Sequence, residues 1–317
     1  MANLQSDQTF SDDAQAFVSS SGVVDRIGVL RSPVNELLEE NRLGNSQFHG
    51  SMFTDIPLQS SAPSPYPKKV NILGLDIDNL SKLELLRSLK KGIVFTPNVD
   101  HLMKMRSDPE FAAVYKRADF KICDSQILMY ASKFLGNPLQ AKLSGSDLFP
   151  WFCDYHRYND HIKIFMLGGR EGVARQARSR INHRIGREIV VADYSPPYGF
   201  EHSPEERSKI LEQIKRSGAT VVAVCLGAPK QEKWIAQNCD RLPTVDIFMA
   251  VGAVVDFEAG TKPRAPRFVS ELGLEWLYRL VSEPKRLWRR YLIEGMPFVG
   301  LVLLEKLRQL KPKKSPL

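Results

Sequence analysis

Val221–Gln237, VVAVCLGAPKQEKWIAQ, decides how the rest of the chain is read. Val221 to Leu226 is a short apolar run rich in β-branched residues, as a buried strand requires. It breaks at Gly227-Ala228-Pro229 and resumes as an amphipathic helix carrying Lys230, Gln231, Glu232 and Trp234. In an open α/β sheet, the loop that follows the carboxyl end of a strand is where ligands bind. Here that loop is crowded with polar side chains.

Similar units stand on both sides of it. Val70–Leu75, Gly92–Thr96, Phe120–Cys123, Ile162–Leu167, Ile189–Ala192 and Asp246–Val251 read as strands, and helical patterns lie between them. Ser107-Asp108-Pro109-Glu110 and Ser203-Pro204-Glu205-Glu206 read as helix starts with a cap and a first-turn proline. Alternation of this kind predicts an α/β fold with a doubly wound, mostly parallel sheet. Residues 1–66, rich in Ser, Gln, Asp and Asn, read as a largely disordered extension. The core is expected over 67–260 and a basic, aromatic helical appendage over 261–317.

The net charge of +8 is unevenly placed. Residues 1–66 carry 3 basic and 8 acidic side chains, whereas 261–317 carry 13 basic and 5 acidic. A basic segment interleaved with Trp276, Leu280, Leu287 and Tyr291 suits an anionic surface, whether lipid headgroups, a diphosphate or nucleic acid. No nucleic-acid recognition motif accompanies it. Arg279, Arg286 and Arg290, spaced seven and four apart, share a helical face, which is a solvated charged face, a diphosphate clamp or a membrane-facing surface. The N-terminus is polar, and the longest apolar run, Met296–Leu304, falls short of the roughly 18 residues of a membrane span. The four cysteines lack paired spacing and read as reduced thiols of a cytosolic protein.

In a parallel sheet all the post-strand loops lie on one edge. That edge gathers Thr96-Pro97-Asn98, Asp124-Ser125-Gln126, Gly168-Gly169, Asp193, Ala228-Pro229-Lys230-Gln231 and Gly252-Ala253. Caps and turns favour the same residue types, so each loop has a purely structural reading beside the functional one. Asp124 is either a helix cap or a general base. Gly168-Gly169, opening a helix, suits a phosphate, although it matches neither a dinucleotide fingerprint nor a Walker loop. Asp76-Ile77-Asp78 has the DxD form of metal-dependent sugar transferases, but it sits where a helix is expected to begin. His101, His156, His161 and His183 have no ligand spacing and read as surface or core residues.

Long motifs in fixed order carry a resemblance. They are FTPNVDHLMKMRSDPEF (95–111), ADFKICDSQILMYASKFLG (118–136), SGSDLF (144–149), FMLGGREGVA (165–174), LGAPKQEKWIAQN (226–238) and the run from Val251 to Leu292. The chain resembles the WecG/TagA/CpsF family of glycosyltransferases over about residues 70–295. The resemblance implies a Rossmann-like core with an appendage that engages the membrane. It implies an inverting, metal-independent enzyme of the bacterial cytoplasm, peripheral on the inner face of the plasma membrane, with no cofactor. Its substrates would be a UDP-sugar and a polyprenyl-diphosphate-linked acceptor, in the synthesis of exopolysaccharide, teichoic acid linker or common antigen. Self-association as a homo-oligomer is part of the same implication. The family's base falls on Asp124, its substrate-contacting pair on Thr96 and Asn98, and its amide on Gln231. Donor and diphosphate contacts are then expected from Gly168, Gly169, Asp193, Pro229, Lys230, Glu232 and Gly252, with Arg264, Arg279, Arg286 and Arg290 from the appendage. A non-catalytic, nucleotide-sugar-binding regulator of the same fold is the competing reading.

Overall fold

The computed structural model describes residues 67–264, 269, 274–282, 284–289 and 295–310. The 1–66 extension, expected to be disordered, lies outside these residues.

Six apolar runs form one all-parallel sheet: β3 (Gly92–Phe95), β4 (Phe120–Lys121), β5 (Ile164–Gly168), β6 (Val190–Tyr194), β7 (Val221–Cys225) and β8 (Ile247–Ala250), in the order β4-β3-β8-β7-β5-β6. Successive side chains of a strand point to opposite faces. Val221, Ala223 and Cys225 therefore enter one core cluster and Val222 and Val224 the other, and Ile164–Leu167 and Ile247–Ala250 divide in the same way. A strand buried on both faces has no polar alternation, which is why these runs are continuously apolar.

One face is covered by α1 (Lys82–Ser88), α5 (Gly145–Tyr155), α6 (Val173–Ile185) and α9 (Val254–Ala259). The other is covered by α3 (Pro109–Tyr115), α7 (Pro204–Ser217) and α8 (Lys230–Asn238). β3 and β8 are neighbours, so the loops at their carboxyl ends lie side by side. The chain leaves the neighbouring strands β7 and β8 toward opposite faces, the arrangement at which open α/β sheets bind ligands.

Two expectations are corrected. Val70–Leu75 is not one strand. It folds into an antiparallel hairpin, β1 (Lys69–Ile72) and β2 (Leu75–Asp78), separate from the main sheet. Leu73 and Gly74 make the two-residue turn at φ 51° and 93°, the left-handed geometry that tight hairpins require. Asp76 and Asp78 consequently lie in a strand rather than at a helix start. Ser81 begins the helix, through a capping box with Glu84.

The hairpin packs with α2 (Val99–Ser107), α4 (Gln126–Phe134) and the last helix, α12 (Met296–Leu310). Between α9 and α12 lie α10 (Glu275–Ser282) and α11 (Pro284–Trp288). Phe298 and Val302 of α12 are buried in this third cluster, worth roughly 3–6 kcal/mol of apolar transfer together. Met296, Val299, Leu303, Leu307 and Leu310 recur at helical spacing and are all half or more exposed. Among the described residues, no helix is long and apolar enough to cross a membrane.

Candidate active site

The loops after β3, β4 and β8 meet on one edge of the sheet. Thr96 is buried, and its hydroxyl donates to the Ala250 carbonyl at 3.4 Å, joining the ends of β3 and β8. The Asp124 N–H donates to the Pro97 carbonyl at 3.0 Å and so joins the β4 loop to them. Asn98 is the N-cap of α2, its side-chain oxygen accepting the His101 N–H at 3.2 Å.

Asp124 is half-buried. The capping role open to it in the sequence is filled by Ser125, whose hydroxyl accepts the Leu128 N–H at the start of α4. Ser107 likewise yields its expected capping role to Asp108, which accepts from Phe111 N–H.

Beneath these loops His101 Nδ1 and the Tyr115 hydroxyl share a 2.6 Å hydrogen bond inside a cluster of rings with Phe95 and Phe111. Burial pushes the Tyr115 phenol well up, and the negative charges of Glu232, Asp124 and Asp100 push it further. These carboxylates thus share one electrostatic neighbourhood, in which a hydrogen-bonded aromatic pair supports the candidate base from below.

Gln231 is buried and bridges two loops. Its Nε2 donates to Glu232 Oε1 at 2.8 Å, and its Oε1 accepts the Gly252 N–H at 3.0 Å. Gln231, Glu232 and Gly252 are therefore tied together at the β7 and β8 loop ends. The Ala228–Pro229 peptide is cis, and Pro229 precedes α8 without a capping side chain. A helix start of that kind leaves backbone N–H groups available to an anion.

A cleft of about 310 Å³ opens next to this loop, over the ends of β5, β6 and β7. Gly169, Arg170, Tyr198, Glu201, Lys230 and Lys262 line it, with Asp256. Lys230 forms an ion pair with Glu201 and lies 5.3 Å from the centre of the Tyr198 ring. Lys262 is 3.5 Å from Asp256. The Ser195 hydroxyl donates to the carbonyls of Gly168 and Arg170, holding two walls together.

The glycine pair differs from its sequence reading. Gly168 ends β5, and α6 starts only at Val173, after Gly172. A Cβ on Gly168 would stand 2.4 Å from the Cys225 carbonyl oxygen, so the close approach of β5 to β7 demands glycine. A Cβ on Gly169, at φ 82°, would meet the Val255 methyls at 3.2 Å. Asp193 lies within β6 rather than in a turn, because the strand continues to Tyr194. Its carboxylate accepts from Arg178 of α6 at 3.5 Å.

The appendage cations separate. Arg264 donates to the Ser146 carbonyl at 2.9 Å and pairs with Glu258 at 3.2 Å and Asp147 at 3.6 Å, which pins the start of the appendage to α5. Arg279 and Arg286 fall on α10 and α11, but their side chains, like the whole of Arg290, lie outside the described residues. Asp76 accepts from Asn71 at 2.7 Å, and Asp78 accepts from the Lys121 N–H at 2.7 Å and pairs with Lys69. Among the described residues, no group of three His, Cys, Asp or Glu is placed to hold a metal ion.

Residues 70–312 match the model of the glycosyl transferase WecG/TagA/CpsF family. The chain belongs to this family. The match runs from the hairpin to the end of α12, so every loop described above lies inside it. Membership in the WecG/TagA/CpsF family makes the protein a glycosyltransferase of cell-surface polysaccharide synthesis. Nucleotide-sugar donors and lipid-linked acceptors are the substrates that such a family implies in general.

Five residues near the site escaped the sequence reading: Arg170, Tyr115, Tyr198, Glu201 and Lys262. Arg170 follows the glycine pair directly, and Tyr198 follows the Pro196-Pro197 turn, so both carried a local signal.

Proposed function

We propose that the protein transfers a sugar from a UDP-sugar to a saccharide on a polyprenyl diphosphate, with inversion and without a metal ion. The observation that carries this reading is Asp124. Asp124 is half-buried, the capping duty beside it is taken by Ser125, and its backbone is bound to the loop of Thr96 and Asn98. In the reaction, the acceptor hydroxyl oxygen bonds to the anomeric carbon as the bond from that carbon to the UDP phosphate oxygen breaks. The bonding electrons leave with UDP, and the hydroxyl proton passes to Asp124.

The cleft beside α8 suits the nucleoside diphosphate. Arg170, Lys230 and Lys262 bring positive charge to its walls, and the open first turn of α8 adds backbone donors for the charge that grows on the leaving phosphate. Asp76 and Asp78, the DxD pair, are engaged by Asn71, Lys69 and the Lys121 N–H, which supports charge stabilisation by side chains and helix starts. The exposed apolar stripe of α12, next to the basic C-terminus, suits peripheral docking on an anionic membrane face.

The test offers a panel of UDP-sugars with a short-chain diphosphate-linked acceptor, in EDTA, and reads the product by mass. Asp124→Asn is expected to lower turnover by about 10²- to 10⁴-fold, the usual worth of a general base, with UDP binding intact. Turnover near the wild-type rate would sink the assignment of Asp124, and strict dependence on added manganese would sink metal independence.

A further inference from the structure

Lys230 is the cation that rises from the first turn of α8 into the cleft, and it is already occupied. The Glu201 carboxylate, which lies 29 residues earlier in the chain, holds it through one oxygen. The other Glu201 oxygen is enclosed and has no hydrogen-bond partner among the described residues. The Lys230 ammonium, with help from the backbone N–H of Glu201, holds the Glu201 carboxyl below its usual range, so the pair is a charged one. The segment that carries it is anchored. Phe200 is buried in the core, Ser195 is bound to the Gly168 and Arg170 carbonyls, and Ser203 caps α7. Release of Lys230 therefore needs only a rotation of the Glu201 side chain.

We propose that Glu201 is a built-in counter-anion, which occupies Lys230 until the diphosphate of the nucleotide donor displaces it and which thereby sets donor affinity. This rests on the reading of the cleft as the donor seat. Two anions compete for one ammonium group, and the phosphate brings the larger charge. With a diphosphate bound, Glu201 faces a like charge across the cleft, so every bound nucleotide pays a repulsion. When UDP leaves, Glu201 re-forms the ion pair and Lys230 does not stand uncompensated. The carboxylate thus trades tight donor binding for easy release of product. The Tyr198 ring on the same ammonium keeps Lys230 in place during the exchange.

Isothermal titration of UDP into the full chain at moderate ionic strength tests this. Glu201→Gln keeps the shape and removes the charge, and it is expected to tighten UDP binding by about two- to fivefold, the range of one partly exposed charge contact. Lys230→Met is expected to weaken UDP binding, and adding Glu201→Gln to Lys230→Met is expected to gain less than Glu201→Gln gains alone, because only the repulsion is then relieved and no ion pair is released. Unchanged or weaker UDP binding in Glu201→Gln would overturn the proposal, as would an equal gain in the Lys230→Met background. If wild-type protein binds no UDP, the donor seat itself fails and the proposal falls with it, an outcome distinct from measurable wild-type binding that Glu201→Gln does not alter.

Discussion

Replacing Gly168 with alanine separates a glycine that shapes the sheet from one that receives a phosphate. The added Cβ would lie 2.4 Å from the Cys225 carbonyl oxygen and 2.6 Å from its carbon, both backbone atoms that no rotamer change can move. Gly168 and Cys225 are register partners at the ends of β5 and β7, and β5 is held between β7 and β6. Relief of the clash therefore means prying apart two interior strands. The φ of 126° adds a conformation that alanine rarely adopts. Overpacking at about 1–3 kcal/mol and backbone strain of similar size sum to roughly 3–5 kcal/mol. At about 2–4 °C per kcal/mol for a domain of this size, melting should fall by roughly 6–20 °C. Gly169→Ala is the comparison. Its Cβ meets side-chain methyls of Val255 at 3.2 Å, which can yield by a few tenths of an ångström, so about 1–2 kcal/mol is expected. Differential scanning calorimetry of both variants, with and without UDP, provides the measurement. A Gly168→Ala protein that melts within about 2 °C of wild type but has lost UDP affinity would refute the strand-packing reasoning and restore the phosphate cradle.

Two further outcomes follow from buried titratable groups. Burial, with help from the Arg187 charge, holds the His156 imidazole down at about 4 from an ordinary 6.5. The folded protein thus binds this proton less readily than the unfolded chain, so stability is complete above pH 6.5 and drains away toward pH 4. Because the ring is only partly enclosed, the loss should be on the order of 1–2 kcal/mol. His156→Phe should flatten the difference between urea melts at pH 7.5 and 4.5, two conditions set about this window, and an unaltered difference would remove His156 as its source. Burial also pushes the Cys123 and Cys225 thiols up to about 12 and the Cys153 thiol higher still. Cys239, half-exposed beside Arg117, should therefore be the first thiol alkylated by iodoacetamide in the native protein. Equal labelling of Cys225, followed by mass, would contradict the burial argument.

Much of the fold was legible because its signals are local. A strand covered on both faces must be apolar throughout, and Val221–Cys225 and Ile164–Gly168 are. The start of α7 was legible, because Ser203 is a capping type followed by a first-turn proline. The errors occurred where two neighbours could fill one role. Ser107 and Asp108, like Asp124 and Ser125, are both able to cap, and only the path of the chain chooses between them. The hairpin was missed because a leucine at φ 51° looks, in sequence, like one more residue of a strand.

The sequence by itself determined the family, the alternation of strand and helix, and hence the edge on which Thr96, Asn98, Asp124, Lys230 and Gln231 gather. Tertiary structure alone decided what each of those groups is bound to. Gln231 spends its amide on Glu232 and Gly252, Asp193 faces Arg178, Arg264 is held by α5, and Lys230 already has a carboxylate beside it. Periodicity is set by neighbours along the chain, so a sequence carries it in full. A hydrogen bond or ion pair is decided within about 3–4 Å of space, often between segments far apart in sequence, and only the folded chain brings them to that distance.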